Sequence, residues 1–331
     1  MSRMVVIGAG AWGCTFARVA SLAGVQVTLS CRTASQAATL RETRHDRIHL
    51  GDVPLPDDVR VSHIGDTSAL EGADVVVIAL PSRAVASDGG ALAARVPPGA
   101  GVLSLTKGLE PGTGRVLSAA WGDVLATGTP FAVLSGPNHA EEIALGQPAA
   151  AVVSGDPSLA ARVQAAVSGP SFRVYVNDDL VGVELCGAAK NVIALAAGMS
   201  DGLGFGDNAK AALITRGLAE MTRLGAAAGA QDATFRGLAG MGDLIATCTS
   251  RHSRNRRAGE MIARGARADE VEQEIGQVVE GLATVRALLA RAQGAGVELP
   301  ISEQVAAAAF DGRPPADCLR YLMTRAPASE A

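Results

Sequence analysis

The strongest chemical signal in the chain is one lysine placed among small and apolar residues. Lys190 lies in the run of residues 184–193, which is otherwise mostly alanine, glycine and aliphatic. Burying an unpaired ammonium costs several kcal/mol, so a lysine in this position needs an explanation. Either it has a function, or its ammonium forms a salt bridge or extends to water. Desolvation also lowers the pKa of an ammonium toward the range of a general acid or base. We predict that Lys190 is catalytic and that Asp243, in the glycine-rich run 240–244, orients it; for Asp243 an ordinary turn is the alternative.

A basic cluster follows that aspartate. Residues 251–257 hold four arginines at the predicted start of a helix, where Ser253 can act as the cap. Free N–H groups at a helix start and planar guanidinium groups both suit the oxygens of a phosphate. A solvated charged face is the structural alternative. Nucleic acid is disfavoured because stacking aromatics and a net basic charge are missing, so we predict one phosphate monoester here.

Three glycines near the start of the chain have the spacing of a dinucleotide site. Gly8, Gly10 and Gly13 follow an apolar run and precede a helical pattern. In such a site the first glycine permits a sharp turn, the second lets the backbone approach a pyrophosphate, and the third lets the helix pack closely. An ordinary glycine turn is the alternative in a chain with 39 glycines. We predict a nicotinamide cofactor. Arg32, where NAD-specific proteins usually carry an acid, indicates that NADPH is accepted unless this arginine is simply solvated.

Polar residues also follow two later predicted strands. Lys107 comes after residues 101–105, and the run 135–140 comes after residues 130–134. Because ligands bind outside the carboxyl ends of parallel strands, both loops are expected to meet at one crevice. Lys107 would neutralise ligand charge there or be solvated, and His139 is better explained as a capping or packing residue than as a proton shuttle.

The elements that must position these residues alternate between short apolar strands and alanine-rich helices. Strands are predicted at 3–7, 25–30, 74–79, 101–105, 130–134, 149–153 and 172–176, and helices include 12–23, 83–95 and 159–167. After residue 180 only helices are predicted, at 181–199, 208–229, 256–264, 269–275, 281–293 and 302–310. The fold class is therefore α/β: an N-terminal Rossmann-like, mostly parallel sheet domain over residues 1–179, then an all-α C-terminal domain over 180–331. Residues 177–179 form the boundary, and the tail 326–331 is expected to fray.

Composition excludes several classes. The 331 residues carry a net charge of −4, which argues against a protein devoted to nucleic acid or an anionic membrane. The five cysteines have no paired spacing, so we expect buried free thiols and neither a disulfide framework nor a metal site. No signal sequence is evident, and charged or polar residues interrupt the longest apolar stretch, around 181–199, so we expect a cytoplasmic protein with no membrane span.

The chain resembles the bacterial NAD(P)-dependent glycerol-3-phosphate dehydrogenase family over essentially its whole length. The resemblance rests on several separate motifs rather than on the glycines alone. These motifs are Gly8-x-Gly10-x-Trp12-Gly13, Lys107-Gly108-Leu109-Glu110, Ser135-Gly136-Pro137 with Ala140-Glu141-Glu142, Ala189-Lys190-Asn191, Gly242-Asp243-Leu244 with Thr247-Cys248-Thr249-Ser250, Ser253-Arg254-Asn255, and Val278-Val279-Glu280-Gly281.

The resemblance implies reversible reduction of dihydroxyacetone phosphate to sn-glycerol 3-phosphate, which feeds phospholipid synthesis, at a site between the two domains. It makes Lys190 the catalytic lysine and implies a homodimer. The implied substrate contacts are Lys107, Gly136, Asn138, Lys190, Asp243, Ser253, Arg254 and Asn255. The implied cofactor contacts are Gly8, Gly10, Trp12, Gly13, Arg32, Lys107, Ala140, Arg254, Val278 and Glu280.

Two departures from the family pattern affect fine contacts. Ala11 stands where the family usually has serine, and Asn138-His139 stands where it usually has serine-phenylalanine. Two other functions stay open: a β-hydroxyacid or nucleotide-sugar dehydrogenase, which needs a carboxylate-binding arginine or a catalytic cysteine, and a non-catalytic NAD(P)H-sensing protein. The second would not need Lys190 or Asp243.

Overall fold

The computed structural model describes residues 3–326, in which a mixed sheet is followed by a set of packed helices. The predicted ends of the two domains at residues 1–2 and 327–331, and with them most of the frayed tail, lie outside the described residues. The strands are β1 (Arg3–Ile7), β2 (Gln26–Cys31), β3 (Arg60–His63), β4 (Val75–Ile78), β5 (Gly101–Ser104), β6 (Phe131–Ser135), β7 (Ala149–Gly155) and β8 (Phe172–Val176).

Helices occur between the strands and make up the second half of the chain. Those between strands are α1 (Ala11–Leu22), α2 (Ala34–Thr43), α3 (Ser82–Ala93), α4 (Leu117–Gly122), α5 (Ala140–Ala144) and α6 (Pro157–Val167). Those after the sheet are α7 (Leu180–Gly202), α8 (Asp207–Ala227), α9 (Asp232–Arg236), α10 (Asp243–Thr249), α11 (Arg254–Ala263), α12 (Ala268–Ile275), α13 (Glu280–Gly294), α14 (Pro300–Phe310) and α15 (Pro315–Thr324).

The eight strands form one sheet in the order β3-β2-β1-β4-β5-β6-β7-β8. All neighbouring pairs are parallel except β6 and β7, so the predicted mostly parallel sheet is confirmed. Successive side chains of a strand point to opposite faces, and here both faces are covered: Met4 and Val6 join one hydrophobic core, while Val5 and Ile7 join another. Double coverage explains why β1 and β4 read as unbroken apolar runs.

Helix α7 is the centre of the helical region. It is long and apolar enough to cross a membrane by length and composition, but 89% of its apolar window is buried inside the protein. It crosses α11 closely enough that a Cβ on Gly198 would lie 1.8 Å from the carbonyl oxygen of Arg256, and one on Gly259 would lie 2.0 Å from that of Leu195. The apolar composition of α7 therefore reflects a core helix packed on several sides, which is also why Lys190 is buried.

Some elements were not anticipated from the sequence. Strand β3 is a short edge strand of mixed polarity, Arg60-Val61-Ser62-His63, and α2 has little hydrophobic periodicity. The conformation of both elements is decided by tertiary contacts with neighbouring elements rather than by a local sequence pattern. Short elements of the helical region were also missed: α9, α10 and a single π-helical turn at Leu238–Gly242 have five to seven residues, too few to show a helical period. The ten-residue helix α15 was missed as well.

Candidate active site

The glycine turn after β1 has the geometry that a dinucleotide site requires. Gly8 adopts a φ of +111°, and a Cβ there would lie 2.4 Å from the carbonyl oxygen of Ala79. A Cβ on Gly13 would lie 1.8 Å from the carbonyl oxygen of Gly8, so only glycine lets α1 approach the strand. Around Gly10 there is no atom within 4 Å of a built Cβ among the described residues. The turn is therefore closed at Gly8 and Gly13 and open at Gly10, as the approach of a pyrophosphate to backbone demands.

Other predicted cofactor residues lie around this turn. Trp12 is in the first turn of α1, and its buried indole N–H has no hydrogen-bond partner within residues 3–326. Arg32 is exposed directly after β2, next to β1 in the sheet. Ala140 begins α5, and its carbonyl oxygen accepts a hydrogen bond from the hydroxyl of Thr15 in α1, 3.1 Å away. An orphaned indole donor and an exposed cation beyond β2 both fit a dinucleotide phosphate.

Lys107 lies at the carboxyl edge of the sheet, where the loops after β5 and β6 meet. Its ammonium donates to the carbonyl oxygen of Gly136 at 2.7 Å and to Oδ2 of Asp243 at 2.7 Å. Burial lowers the pKa of Lys107 to about 8, with Asp243 opposing that shift. The expected meeting of the two loops is confirmed, and Lys107 is not a solvated surface lysine.

Lys190 is buried and paired with the same aspartate. Its ammonium donates to Oδ1 of Asp243 at 2.8 Å and to the hydroxyl oxygen of Thr247 at 2.7 Å. The Thr247 hydroxyl in turn donates to the backbone carbonyl of Asp243, 2.6 Å away. An ammonium has three N–H groups, so one from each lysine remains for a ligand. The structure thus brings Lys107, Lys190 and Asp243 into one cluster, from three separate elements.

The charges of this cluster do not cancel. Asp243 is only 2% exposed, and although burial alone would raise its pKa, the Lys107 and Lys190 ammonium groups hold the pKa of Asp243 below its usual value. One carboxylate therefore faces two ammonium groups. In a site shielded from water, such an excess of positive charge stabilises an oxygen atom that becomes negative during a reaction.

The basic cluster is only partly directed at the site. Ser253 caps α11 as predicted, since its side chain accepts from the backbone N–H of Arg256. The Arg256 side chain, however, is used within the fold: it pairs with Asp201 of α7 and with Glu260 of α11. Arg254 donates to the carbonyl oxygen of Val278 at 3.0 Å and remains exposed. The Arg256 side chain is therefore committed to ion pairs within the fold, whereas Arg254 keeps an exposed guanidinium.

Asn255 links α11 to α7, the helix that carries Lys190. Its side-chain amide donates to Oδ1 of Asn191, the neighbour of Lys190, at 2.9 Å, and its oxygen accepts from the backbone N–H of Gly281 at 2.8 Å. The Asn255 amide has a second N–H group, which remains for another acceptor. Glu280, the first residue of α13, turns its carboxylate toward Ser82 of α3.

Asn138 and His139 occupy the loop between β6 and α5. Both polar atoms of the Asn138 amide are buried and have no partner within residues 3–326, which marks a place for a ligand or water. His139 caps nothing with its side chain; its Nε2 lies 3.1 Å from the carbonyl oxygen of Ala246 in α10. Burial lowers the pKa of His139, as fits the packing role expected for it.

Sequence reasoning gave no role to three residues that complete this arrangement. Thr247 is one helical turn beyond Asp243, a spacing that could have indicated a shared face. Asn191 and Ser82 carried no such signal.

The five cysteines are free and buried, and Cys186 and Cys248 have pKa values raised by burial, which makes them poor nucleophiles.

Two family models match the chain in succession. The model for the N-terminus of NAD-dependent glycerol-3-phosphate dehydrogenase covers residues 3–161, and the model for the C-terminus of that enzyme covers residues 179–320. The chain belongs to the NAD-dependent glycerol-3-phosphate dehydrogenase family. Membership makes the protein an oxidoreductase that uses NAD or NADP, in agreement with the open glycine turn.

Relatives within this family align over their full length. The glycerol-3-phosphate dehydrogenase [NAD(P)+] of Thermus thermophilus is 48% identical over 328 residues, covering 99% of this chain and 100% of the relative. That of a Parafrankia species is 48% identical over 332 residues, covering 100% and 99%. A crystal structure of glycerol-3-phosphate dehydrogenase from Coxiella burnetii has a TM-score of 0.93 at 35% identity, covering 98% of this chain and 99% of that one. The fold described above is thus a family fold.

Proposed function

We propose that this protein catalyses the reversible reduction of dihydroxyacetone phosphate to sn-glycerol 3-phosphate, and that the product supports phospholipid synthesis. The observation that carries the proposal is the buried cluster of Lys107, Asp243 and Lys190, which the contact of Lys107 with Gly136 ties to the carboxyl edge of the sheet. A sensing protein without turnover would not need two ammonium groups on one buried carboxylate, and the cysteines lack the environment of a nucleophile.

Lys190 is the proposed catalytic residue. Its free N–H stabilises the oxygen of the reacting carbonyl and supplies the proton during reduction, or removes the hydroxyl proton during oxidation. Asp243 and Thr247 fix the direction of the ammonium. Lys107 adds positive charge next to it and contacts both substrate and cofactor in this proposal.

The cofactor, when bound, supplies or accepts the hydride. The residues proposed to hold it come from the glycine turn, from the loops after β2, β5 and β6, and from the starts of α11 and α13: Gly8, Gly10, Trp12, Gly13, Arg32, Lys107, Ala140, Arg254, Val278 and Glu280. Acceptance of NADPH as well as NADH is attributed to Arg32, whose exposed guanidinium suits a 2′-phosphate.

The substrate phosphate is assigned to the start of α11. Ser253 and the first N–H groups of the helix form an anion site, and Arg254 adds a guanidinium. Gly136, Asn138 and Asn255 complete the proposed contacts to the rest of the substrate. Asn138 is favoured by its unpartnered buried amide.

The test compares a phosphorylated ketone with its unphosphorylated analogue. Initial rates of NADPH and NADH oxidation should be high with dihydroxyacetone phosphate and very low with dihydroxyacetone. Equal rates on the two ketones would contradict the phosphate site.

The variant Arg254→Ala tests the residue that is assigned to the phosphate. It should raise the KM for dihydroxyacetone phosphate about 10- to 100-fold, because a charge-assisted contact is lost. Arg257→Ala is the matched control: Arg257 is exposed on the same helix and forms no salt bridge within residues 3–326. A similar effect of both variants on KM would show that the arginines of α11 attract the substrate only through their overall charge, and it would contradict a direct contact between Arg254 and the phosphate.

The remaining proposals concern organisation. We propose the division into a dinucleotide-binding domain over residues 1–179 and a substrate and catalytic domain over 180–331, a homodimeric assembly, and a cytoplasmic location. Asp179 supports the boundary, since it caps the start of α7 through the backbone N–H of Gly182, 2.9 Å away.

A further inference from the structure

Two glutamates of the helical region cap helices that belong to the sheet region. Glu280 at the start of α13 accepts hydrogen bonds from the backbone N–H of Ser82, 3.2 Å away, and from its hydroxyl, 2.8 Å away. Glu184 of α7 accepts the same two kinds of hydrogen bond from Ser118 of α4. The chemistry of the two contacts is identical, but their surroundings differ.

Ser82 lies against the loop after β5, and the segment that leads to it from β4 packs on the glycine turn. It is 1% exposed and follows β4 by only a few residues. Within that connection, the Ala79 carbonyl packs on Gly8 of the glycine turn, and the Leu80 carbonyl accepts from the hydroxyl of Thr106 at 2.8 Å. A Cβ on Gly108, the neighbour of Lys107, would lie 2.8 Å from the Cβ of Ser82. No larger residue fits at position 108 without displacing Ser82.

The residues on both sides of Glu280 contact α11, the helix proposed to bind the substrate phosphate. Two positions before it, the carbonyl oxygen of Val278 accepts from Arg254. The residue after it, Gly281, donates its N–H to Asn255, which is hydrogen bonded to Asn191 beside the catalytic lysine. The position of Glu280 is therefore tied to the position of α11 and of α7.

We propose that Ser82 is a positioning residue that joins the cofactor loops of the sheet to the substrate-binding start of α11 by holding the carboxylate of Glu280. This inference rests on the proposed function, because it concerns how the proposed cofactor and substrate contacts are kept in register. Ser82 itself touches neither the reacting atoms nor the lysine cluster.

The contact between Ser118 and Glu184 provides a matched control. Glu184 is on α7, six positions before Lys190, and Ser118 is the second residue of α4, a short helix that carries none of the proposed ligand contacts. If a buried serine-to-glutamate contact matters only for stability, removing either serine hydroxyl should have the same consequences.

The experiment compares Ser82→Ala with Ser118→Ala in the full-length enzyme. Both variants should lower the Tm by similar amounts. Only S82A should raise the KM for NADPH and for dihydroxyacetone phosphate, each about five- to tenfold, with kcat within about twofold of the unmodified enzyme. A purely structural contact would not produce this split between KM and kcat.

A double variant tests whether Ser82 acts through Glu280. Because the alanine in E280A leaves Ser82 nothing to hold, S82A/E280A should have the same KM values as E280A within about twofold. The proposal is overturned if S82A and S118A change the kinetics alike, or if S82A multiplies the KM of E280A by its full single-variant factor.

The proposed function and this inference fail in different ways. If the unmodified protein does not oxidise NADPH with dihydroxyacetone phosphate, the function is rejected. The inference is then decided by NADPH fluorescence titration, in which S82A should weaken binding relative to both the unmodified protein and S118A. Normal turnover together with unchanged KM values in S82A would reject the inference alone.

Discussion

The two sides of the candidate site differ in the groups that form them, which are backbone groups on the sheet side and buried charged side chains on the helical side. On the sheet side, the glycine turn offers backbone and empty space: Gly8 and Gly13 are fixed by contacts that exclude a side chain, and Gly10 faces an opening. On the helical side, α7 and α10 offer buried charge, with Lys190 and Asp243 surrounded by apolar residues. The first side therefore depends on shape, with no room for a side chain at Gly8 or Gly13, whereas the second depends on the presence of particular charged groups.

The largest effect is expected on the helical side. Lys190→Ala should lower kcat about a thousandfold, because the group that stabilises and protonates the substrate oxygen is removed. NADH binding, measured by fluorescence, should be retained because the glycine turn is untouched. Lys210→Ala removes a lysine of α8 that pairs with Asp201 and not with Asp243, and it should leave kcat within about twofold. A kcat near that of the unmodified enzyme in K190A would remove Lys190 from its role.

A second prediction separates the closed position from the open position within the glycine turn. Gly13→Ala should lower the free energy of unfolding by about 2–3 kcal/mol, since its Cβ would overlap the carbonyl oxygen of Gly8. Gly10→Ala should change that free energy by less than about 0.5 kcal/mol but weaken NADH binding about tenfold, because its methyl group enters the space left for the pyrophosphate. Urea unfolding and NADH titration of both variants check this. Equal losses of stability would contradict the assignment of closed and open positions.

The smallest effect concerns a buried carboxylate outside the site. Glu220 of α8 accepts hydrogen bonds from the start of α14, and burial raises the pKa of Glu220 to about 7. Between the unfolded value of about 4.3 and this pKa, the folded protein holds a proton that unfolding releases, so this group makes stability fall as pH rises. From pH 5 to 7, Glu220→Gln should gain about 2 kcal/mol relative to the unmodified protein in the free energy of unfolding.

The control for this prediction is Glu303→Gln, on the exposed side of α14. It should keep the pH dependence of the unmodified protein in urea unfolding between pH 5 and 8. If E220Q also keeps that dependence, the carboxylate of Glu220 is ionised throughout the range and its stabilising hydrogen bonds outweigh its burial. This outcome would make the interior of the helical region more polar than the comparison above assumes.

Much of the fold was predictable because its signals are local. The strands of the sheet core are continuous apolar runs, and α7 is a long apolar helix capped by Asp179, so each could be assigned from a window of sequence. The edge strand β3 and the helix α2 were missed because their residues are mostly polar and their conformation depends on neighbours. The antiparallel direction of β7 could likewise not be predicted from its sequence, because the direction of a strand depends on its connections to other strands and not on its own residues.

By itself, the sequence determined the order of sheet and helices, the glycine turn, and the presence of a lysine that had to be explained, because these depend on residue type and short spacing. Only the tertiary structure decided which charges meet. Lys107, Lys190 and Asp243 lie far apart in the chain, and the same fold directs Arg256 of α11 to Asp201 of α7 rather than toward a ligand. The energy of such a pairing depends on the distance between the two charges in space and not on their separation along the chain, so spacing in the sequence cannot specify it.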